Sequence, residues 1–240
     1  MREKPYIKVH LHLPESLKNI IIAIDGPAAS GKSSTAKRVA QQLGYVHVDT
    51  GAMYRAIALK ALRLGLTATD REAIEAMTLS TTVRLEYDEA KRVHVMLDAA
   101  DVTEAIRMPD VSKAASAISA IGAVRDLLVR EQRAMGASGG IVLDGRDIGT
   151  VVFPQAELKI FMVADAYERA VRRAKELEEK GIHADVLALE REIMERDRND
   201  STRAHSPLKK ADDAYVIDTT RLTIEEQTAF ILAKAKELLA

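Results

Sequence analysis

The sequence predicts an α/β protein: a parallel sheet flanked by helices in three layers, interrupted by a small antiparallel β insert. An apolar, β-branched run from Ile20 to Asp25 meets Gly26 and Pro27 and is followed by Ala36, Val39, Ala40 and Leu43 at helical spacing. A strand buried on both faces that feeds a helix is the repeating unit of a parallel sheet. Between Ser80 and Val102 the rhythm changes. Val83, Leu85 and Tyr87, then Val93, Val95 and Leu97, alternate with polar residues about a charged turn at Asp88 to Arg92. Strict alternation marks strands with one wetted face, so this hairpin rides on the main domain instead of entering its sheet.

The remaining elements keep the strand and helix alternation. Gly44 is placed to end the first helix, Tyr45 to Val48 reads as a second strand, and Met53 to Leu64 as a helix closed by Gly65. After the insert come helices over about Val111 to Ala120 and Ala123 to Met135, then strands at Ile141 to Leu143 and Leu158 to Val163. Asp165 with Glu168 three residues on has the pattern of a capping box, and Gly181 stops the helix it opens. From Glu190 to Arg203 the chain is dense in charge, which suits a segment that covers an anion and does not build core. A strand at Tyr215 to Ile217 and a helix opened by Thr223 with Glu226 complete the pattern.

Composition bounds the function. With 47% hydrophobic and 30% charged residues over 240 positions, one sizeable core is expected, occupying residues 20–240. Thirty-five basic residues against 36 acidic ones leave a net charge of -1, so no global field draws the protein to nucleic acid or to anionic lipid. Any anion site has to be local. The absence of cysteine excludes disulfides, thiolate zinc sites and thiol nucleophiles, and it fits a cytoplasmic location. The run from Ile20 to Ile24 is too short to span a bilayer, so no membrane attachment is expected. Residues 1–19 read as an N-terminal extension of unknown role, without the apolar centre of a signal peptide.

The most specific local pattern is Gly26, Pro27, Ala28, Ala29, Ser30, Gly31, Lys32 and Ser33, with Ser34 beside it, which matches G-x-x-x-x-G-K-[ST] after a buried strand and at the start of a helix. Glycines let the backbone curl until successive N–H groups face phosphate oxygens, and the helix N-terminus adds partial positive charge. Lys32 then reaches the β- and γ-phosphates of ATP, and Ser33 can ligate Mg²⁺. The context makes this a three-layer P-loop NTPase fold; a Gly-rich turn that binds nothing is the alternative. Asp144 ends the strand Ile141-Val-Leu-Asp and can hold the magnesium shell through water, or satisfy local backbone donors.

The arginines choose among P-loop chemistries. When one phosphate attacks another, the nucleophile is already an anion, so the obstacle is repulsion between charged groups and not a missing base. Guanidiniums have to converge there. Arg55 follows Asp49-Thr50-Gly51, Arg146 follows Asp144-Gly145, and Arg169, Arg172, Arg173, Arg196 and Arg203 form a basic cluster. Arg55, Arg146 and Arg203 read as loop positions that need an anion to meet. The set on the helix, Arg169, Arg172 and Arg173, can equally be a solvated face paired with Glu168 and Glu176.

At these residues the chain closely resembles the bacterial cytidylate kinase family, within the nucleoside monophosphate kinases. The resemblance is carried by Ile24-Asp-Gly-Pro-Ala-Ala-Ser-Gly-Lys-Ser33, Asp49-Thr-Gly-Ala-Met-Tyr-Arg55, and Asp144-Gly-Arg-Asp-Ile-Gly-Thr-Val-Val-Phe-Pro154. Arg196-Asp-Arg-Asn-Asp200 with Arg203 and Ala211-Asp-Asp-Ala extend it to the C-terminus. It implies that residues 78–110 are a monophosphate-binding insert and residues 181–206 a short lid. It further implies Ser116, Arg125 and Asp147 as cytosine readers, Thr50 and Asp200 facing the sugar, and Arg55, Arg146 and Arg203 meeting phosphate; Arg196 of the basic cluster is a further catalytic candidate. A carboxylate accepting from cytosine N4 beside a guanidinium donating toward N3 or O2 fits that base, whereas uracil reverses the two positions. Without the resemblance, a structural role for Arg125 within its own helix is the better reading.

The expected reaction is transfer of the γ-phosphoryl group of ATP to CMP or dCMP, with Mg²⁺, in a monomer that acts on small molecules and not on nucleic acid. CMP docks between the main sheet and the insert, and the Arg-rich segment closes and expels water. A P-loop kinase for UMP, AMP or a non-nucleotide acceptor shares most of these features. A nucleotide-binding switch is the alternative from another class; no Asn-Lys-x-Asp motif is present, and the arginines exceed what a water nucleophile needs.

Overall fold

The computed structural model describes residues 19–88, 92–179 and 181–239, which fall into two compact units: residues 50–135, and residues 19–49 with 136–239. In chain order the elements are β1 (Ile21–Asp25), α1 (Lys32–Leu43), β2 (Val46–Asp49), α2 (Thr50–Arg63), α3 (Arg71–Leu79), β3 (Val83–Tyr87), β4 (Val93–Leu97), β5 (Ala100–Asp101), α4 (Pro109–Ile118), α5 (Gly122–Met135), β6 (Ile141–Gly145), β7 (Leu158–Val163), α6 (Ala166–Glu178), α7 (Val186–Thr202), β8 (Tyr215–Asp218) and α8 (Ile224–Leu239). The reading of residues 1–19 as an extension falls, apart from Asn19, outside the described residues, as does the tip of the charged turn at residues 89–91.

The larger unit is the expected parallel sheet flanked by helices. Its five strands run in the order β2-β6-β1-β7-β8, and every pairing is parallel. Ile22, Ile24, Ile141, Leu143, Leu158 and Ile160 are almost wholly buried, which is why these strands are near-continuous apolar runs. Register aligns Ile24 with Asp144 and Asp25 with Gly145, so two carboxylates arrive at the carboxyl edge of the two central strands. The chain leaves β1 for β2 on one side, and from β6 it crosses to β7 on the other. The carboxyl ends of the strands at such a switch point are where open α/β sheets place ligands. Helix α1 buries Ala36, Val39 and Ala40, packs on α8, and ends at Gly44, whose left-handed backbone returns its N–H to Ala40 and Gln41.

The smaller unit contains the antiparallel sheet β3-β4-β5, with helices α2, α3, α4 and α5. On β3 Val83 is buried and Arg84 exposed, as the alternation predicts, whereas on β4 Val95, Met96 and Leu97 are all buried, so burial there is not one-sided. Helix α2 is the hub of this unit, packing on α4, α5 and β4 through a stretch of small and apolar residues, Ala52 to Ala61.

Four local readings change. Residues 71–79, unassigned from sequence, form α3, a short helix with only Ile74, Met77 and Thr78 buried and hence a faint apolar stripe. The charged stretch from Glu190 to Arg203 is mostly helix: α7 runs 17 residues from an Asp185 cap and buries only Ile193 and Asp200, so it carries no core pattern to detect. Arg55 is not in a loop but in α2, as the helix expected from Met53 already implied; α2 also starts three residues earlier than that and takes in Thr50 and Gly51. At α6 the capping box is half made. Asp165 accepts from Tyr167 and Glu168, but its own N–H goes to Thr220 Oγ1 at 3.0 Å and not to Glu168. The box at Thr223 and Glu226 is reciprocal, at 2.8 and 3.2 Å.

Candidate functional site

In the larger unit, β1 delivers the chain to the middle of the sheet, where Gly26 turns it. Its φ is 150°, and a Cβ there would stand 2.3 Å from the Met162 carbonyl oxygen, so only glycine lets the loop pass over β7. Gly31, at φ 89°, sits at the N-cap of α1 with no side-chain cap and no acidic residue in the first turn. The exposed donors and positive dipole end of that helix suit an anion. The loop is braced from behind. Thr219 Oγ1 donates to Ser30 O at 2.9 Å, Arg169 Nη1 donates to Ala28 O at 3.0 Å, and Thr35 Oγ1 meets Gln227 Oε1 at 2.7 Å. Asp197 Oδ1 of α7 accepts the Ala28 N–H at 3.2 Å while its Oδ2 pairs with Arg169 at 2.5 Å, so a carboxylate oxygen already rests on a loop amide.

Lys32 is buried, and its Nζ donates to Pro27 O at 2.5 Å and to Ser30 Oγ at 3.2 Å. Burial and the nearby Arg146 guanidinium push its pKa well below the ordinary lysine value, with Arg196 adding to them and Asp144 and Asp25 opposing. An ammonium so placed gains most from a polyanion. Asp144 is also buried, yet its carboxyl is held below the usual range: burial works against ionisation, and His47, Ser33 and Lys32 outweigh it. His47 Nε2 lies 2.8 Å from Asp144 Oδ1, and Ser33 Oγ donates to Oδ2 at 2.5 Å. A hydroxyl and a carboxylate brought together at a phosphate-type loop are hard oxygen donors of the kind Mg²⁺ takes beside phosphates and water. Among the described residues no group of three or more His, Cys, Asp or Glu is placed to hold a metal on its own.

Beyond β6 the chain assembles a second cluster. Arg146 Nε donates to Asp200 Oδ2 at 2.8 Å, Arg203 Nη1 lies 3.8 Å from Asp200 Oδ1, and Arg203 Nη2 lies 3.6 Å from Asp147 Oδ1. Burial by itself would raise the Asp200 pKa, but Arg146, Arg196 and Arg203 together hold it below the usual range. Of the three arginines on α6, only Arg173 has the surface pairing with Glu176, at 3.0 Å. Arg172 instead donates to Thr219 O and Thr220 O, and Arg169 belongs to the loop brace.

In the smaller unit, Arg125 of α5 is buried with its guanidinium 5.4 Å from the centre of the Tyr54 ring. Its Nη1 reaches Ser119 O at 3.4 Å, and Ser119 Oγ donates to Ser116 O at 2.9 Å, so Ser116 and Arg125 share one support. Thr50 is buried at the start of α2, with the half-buried Arg55 in its second turn.

The family model described as cytidylate kinase matches residues 22–237. The chain belongs to the cytidylate kinase family. A protein named cytidylate kinase from Caldicellulosiruptor bescii is 50% identical over 222 residues, covering 92% of this chain and 96% of that one. One from Streptococcus suis is 51% identical over 223 residues, covering 93% and 99%. One from Chloroherpeton thalassium is 48% identical over 237 residues, covering 95% and 99%. Among the described residues, no helix is long and apolar enough to cross a membrane.

Within this cytidylate kinase fold, the predicted residues of the larger unit form two groups. Lys32, Ser33 and Asp144 stand at the loop, and Arg146, Asp147, Asp200 and Arg203 form the buried cluster, with Arg196 acting on Lys32 and Asp200. Ala29 lies in the loop at a positive φ of 57°, and Ser34 is exposed on α1. Sequence reasoning passed over His47, Asp197 and Asp25. A strand-end carboxylate before a glycine was the available signal for Asp25, the same one that picked out Asp144.

Burial pushes the Asp25 carboxyl up to about 7 from 3.8, against the hydrogen bonds it accepts from the Gly149 and Ile148 amides. Between those values the folded protein holds a proton that the unfolded chain has released, so this group's stabilisation is complete below about pH 4 and lost as pH rises through about 7. Its full extent is about 4 kcal/mol. The melting temperature of the wild type relative to Asp25→Asn is therefore expected to fall between about pH 5 and pH 8. Parallel profiles would place this carboxyl at an ordinary pKa.

Proposed function

We propose that this chain transfers the γ-phosphoryl group of ATP to CMP or dCMP, giving ADP and CDP or dCDP, as a cytoplasmic monomer of pyrimidine nucleotide metabolism. The observation that carries the reading is the electrostatics around Lys32. Its ammonium is disfavoured by burial and by two guanidiniums, Arg146 and Arg196, close enough to act on it. Three cations gathered at a phosphate-type loop, offset by Asp144, Asp25 and Asp200, suit more than one phosphate among them, which is the demand of phosphoryl transfer between two anions.

The loop from Gly26 to Ser34 would hold the ATP phosphates, and Ser33 with Asp144 would hold Mg²⁺, which supplies charge neutralisation at those phosphates when bound. An oxygen of the CMP phosphate forms the new bond to the γ-phosphorus as the bond to the β–γ bridging oxygen breaks. No base is required, because the nucleophile is already deprotonated. Lys32, Arg146, Arg196 and Arg203 serve to stabilise the equatorial oxygens, and Arg55 is assigned to phosphate. The Arg146 and Arg203 forks are kept in place by Asp200 and Asp147. Thr50 and Asp200 are assigned to the sugar, and Ser116, Arg125 and Asp147 to cytosine; a cation–π contact with the Tyr54 ring supports Arg125. Residues 78–110 are read as the monophosphate-binding insert and residues 181–206, which include all of α7, as the lid.

A coupled assay of ADP formation with CMP, dCMP, UMP and AMP tests this. ATP consumption is expected to depend on CMP or dCMP, with kcat/KM for CMP ~10³-fold or more above that for UMP, the scale reached by sites built on specific hydrogen bonds. Consumption independent of any monophosphate would mark a switch, and a preference for UMP or AMP would overturn the base assignment.

A further inference from the structure

We propose that Asp25 is a positioning residue for base recognition, whose carboxylate fixes the peptide plane that orients Asp147 and thereby sets discrimination between cytosine and uracil. The inference rests on the cytidylate kinase reading and adds to it a residue that lies in the sheet and is assigned to no substrate.

Asp25 ends β1 and is 5% exposed. Its two oxygens accept consecutive amides, Ile148 N at 2.8 Å to Oδ1 and Gly149 N at 2.7 Å to Oδ2. The Ile148 N–H belongs to the same rigid plane as the Asp147 carbonyl, so holding it fixes ψ of Asp147. The opposite edge of that plane is held as well, since Asp147 O accepts from Val151 N at 2.9 Å and Val152 N at 3.2 Å. With φ -145° and ψ 26°, Asp147 lies outside the regular helical and strand regions, so the conformation is imposed by these contacts and not by an element. Behind the turn there is little slack. A Cβ on Gly149 would lie 3.2 Å from Lys159 Cδ and 3.4 Å from Asp25 Oδ2.

Only an ionised carboxylate satisfies two convergent N–H donors, one on each oxygen. Asparagine has the same shape but offers one acceptor, and its NH₂ would face the second amide, donor against donor. The Ile148 to Val152 turn would relax, and with it the direction from which Asp147 meets the base. Loss of a precisely aimed acceptor is felt by cytosine and not by uracil, which has no amino group to present.

The test is the ratio of kcat/KM for CMP to that for UMP, at saturating ATP and about pH 8, where the Asp25 carboxyl, raised to about 7, is ionised. Both acceptors use the same ATP site, so damage to the phosphate loop or to stability cancels in the ratio. For Asp25→Asn the ratio is expected to fall ~10-fold or more, by loss of CMP activity. A folded Asp25→Asn protein with a ratio within about twofold of wild type overturns the proposal, even if both activities drop. If that variant does not fold, Asp25→Glu, which keeps the charge and displaces the oxygens by one methylene, is judged by the same criterion. A wild type without preference for CMP would instead defeat the substrate reading itself, and this inference with it.

Discussion

Replacing Arg146 by alanine is expected to lower kcat by ~10² or more while the protein stays folded. Arg146 leaves the end of β6 immediately after Gly145, and its Nε is fixed by Asp200 at 2.8 Å with a further bond from Nη1 to Gly145 O at 3.3 Å. A guanidinium held from one edge presents its remaining N–H groups in a constant direction, which is the preorganisation that makes a charge effective in a transition state. It also acts electrostatically on Lys32, so removing it changes the charge balance at the phosphate loop. The fold should survive because Asp200 keeps Arg196 and Arg203 as compensating charges. Arg146→Lys retains the charge and loses the planar fork, and only part of the rate is expected to return. Steady-state kcat at saturating CMP and ATP, paired with thermal melts, measures both effects; near wild-type turnover in the alanine variant removes Arg146 from the transition state.

What was legible in the sequence follows from how local each device is. The phosphate loop needs its glycines, lysine and serine at fixed spacing between a strand and a helix, so Gly26 to Ser33 declares itself within a dozen residues. The apolar runs of β1, β6 and β7 did the same for the sheet. Helix α7 did not, because its burial is confined to Ile193 and Asp200 and its apolar residues Leu187 and Met194 point to solvent. The electrostatic partners were illegible for another reason. Asp197 meets the Ala28 amide across 169 positions, and Asp25 meets Ile148 across 123, separations that no local pattern encodes. Arg169 illustrates both: spacing on α6 offered Glu168 and Glu176 as surface partners, while the fold buries it against the loop and Asp197. Composition and period thus reach the scaffold and the phosphate cradle, and the second layer of charges that orients them emerges only from tertiary packing.

Asp147→Asn is expected to reverse much of the base preference. The side chain is buried at the head of the turn after β6, near Arg203 and within a backbone held on both edges, so it cannot swing away to find another partner. As a carboxylate it can only accept, which suits the N4 amino group of cytosine and opposes the O4 carbonyl of uracil. As an amide it can donate to O4, and the shape of the pocket is unchanged. We expect kcat/KM for CMP to fall by ~10² to 10³ while that for UMP holds or rises, because a site left with an unmatched buried polar group loses that much discrimination. Asp147→Ala separates the two halves of the argument: it removes the acceptor without supplying a donor, so CMP activity should fall without a gain for UMP. If the asparagine variant instead loses CMP and UMP activity in equal proportion, Asp147 acts on the reacting phosphates through Arg203 and not on the base.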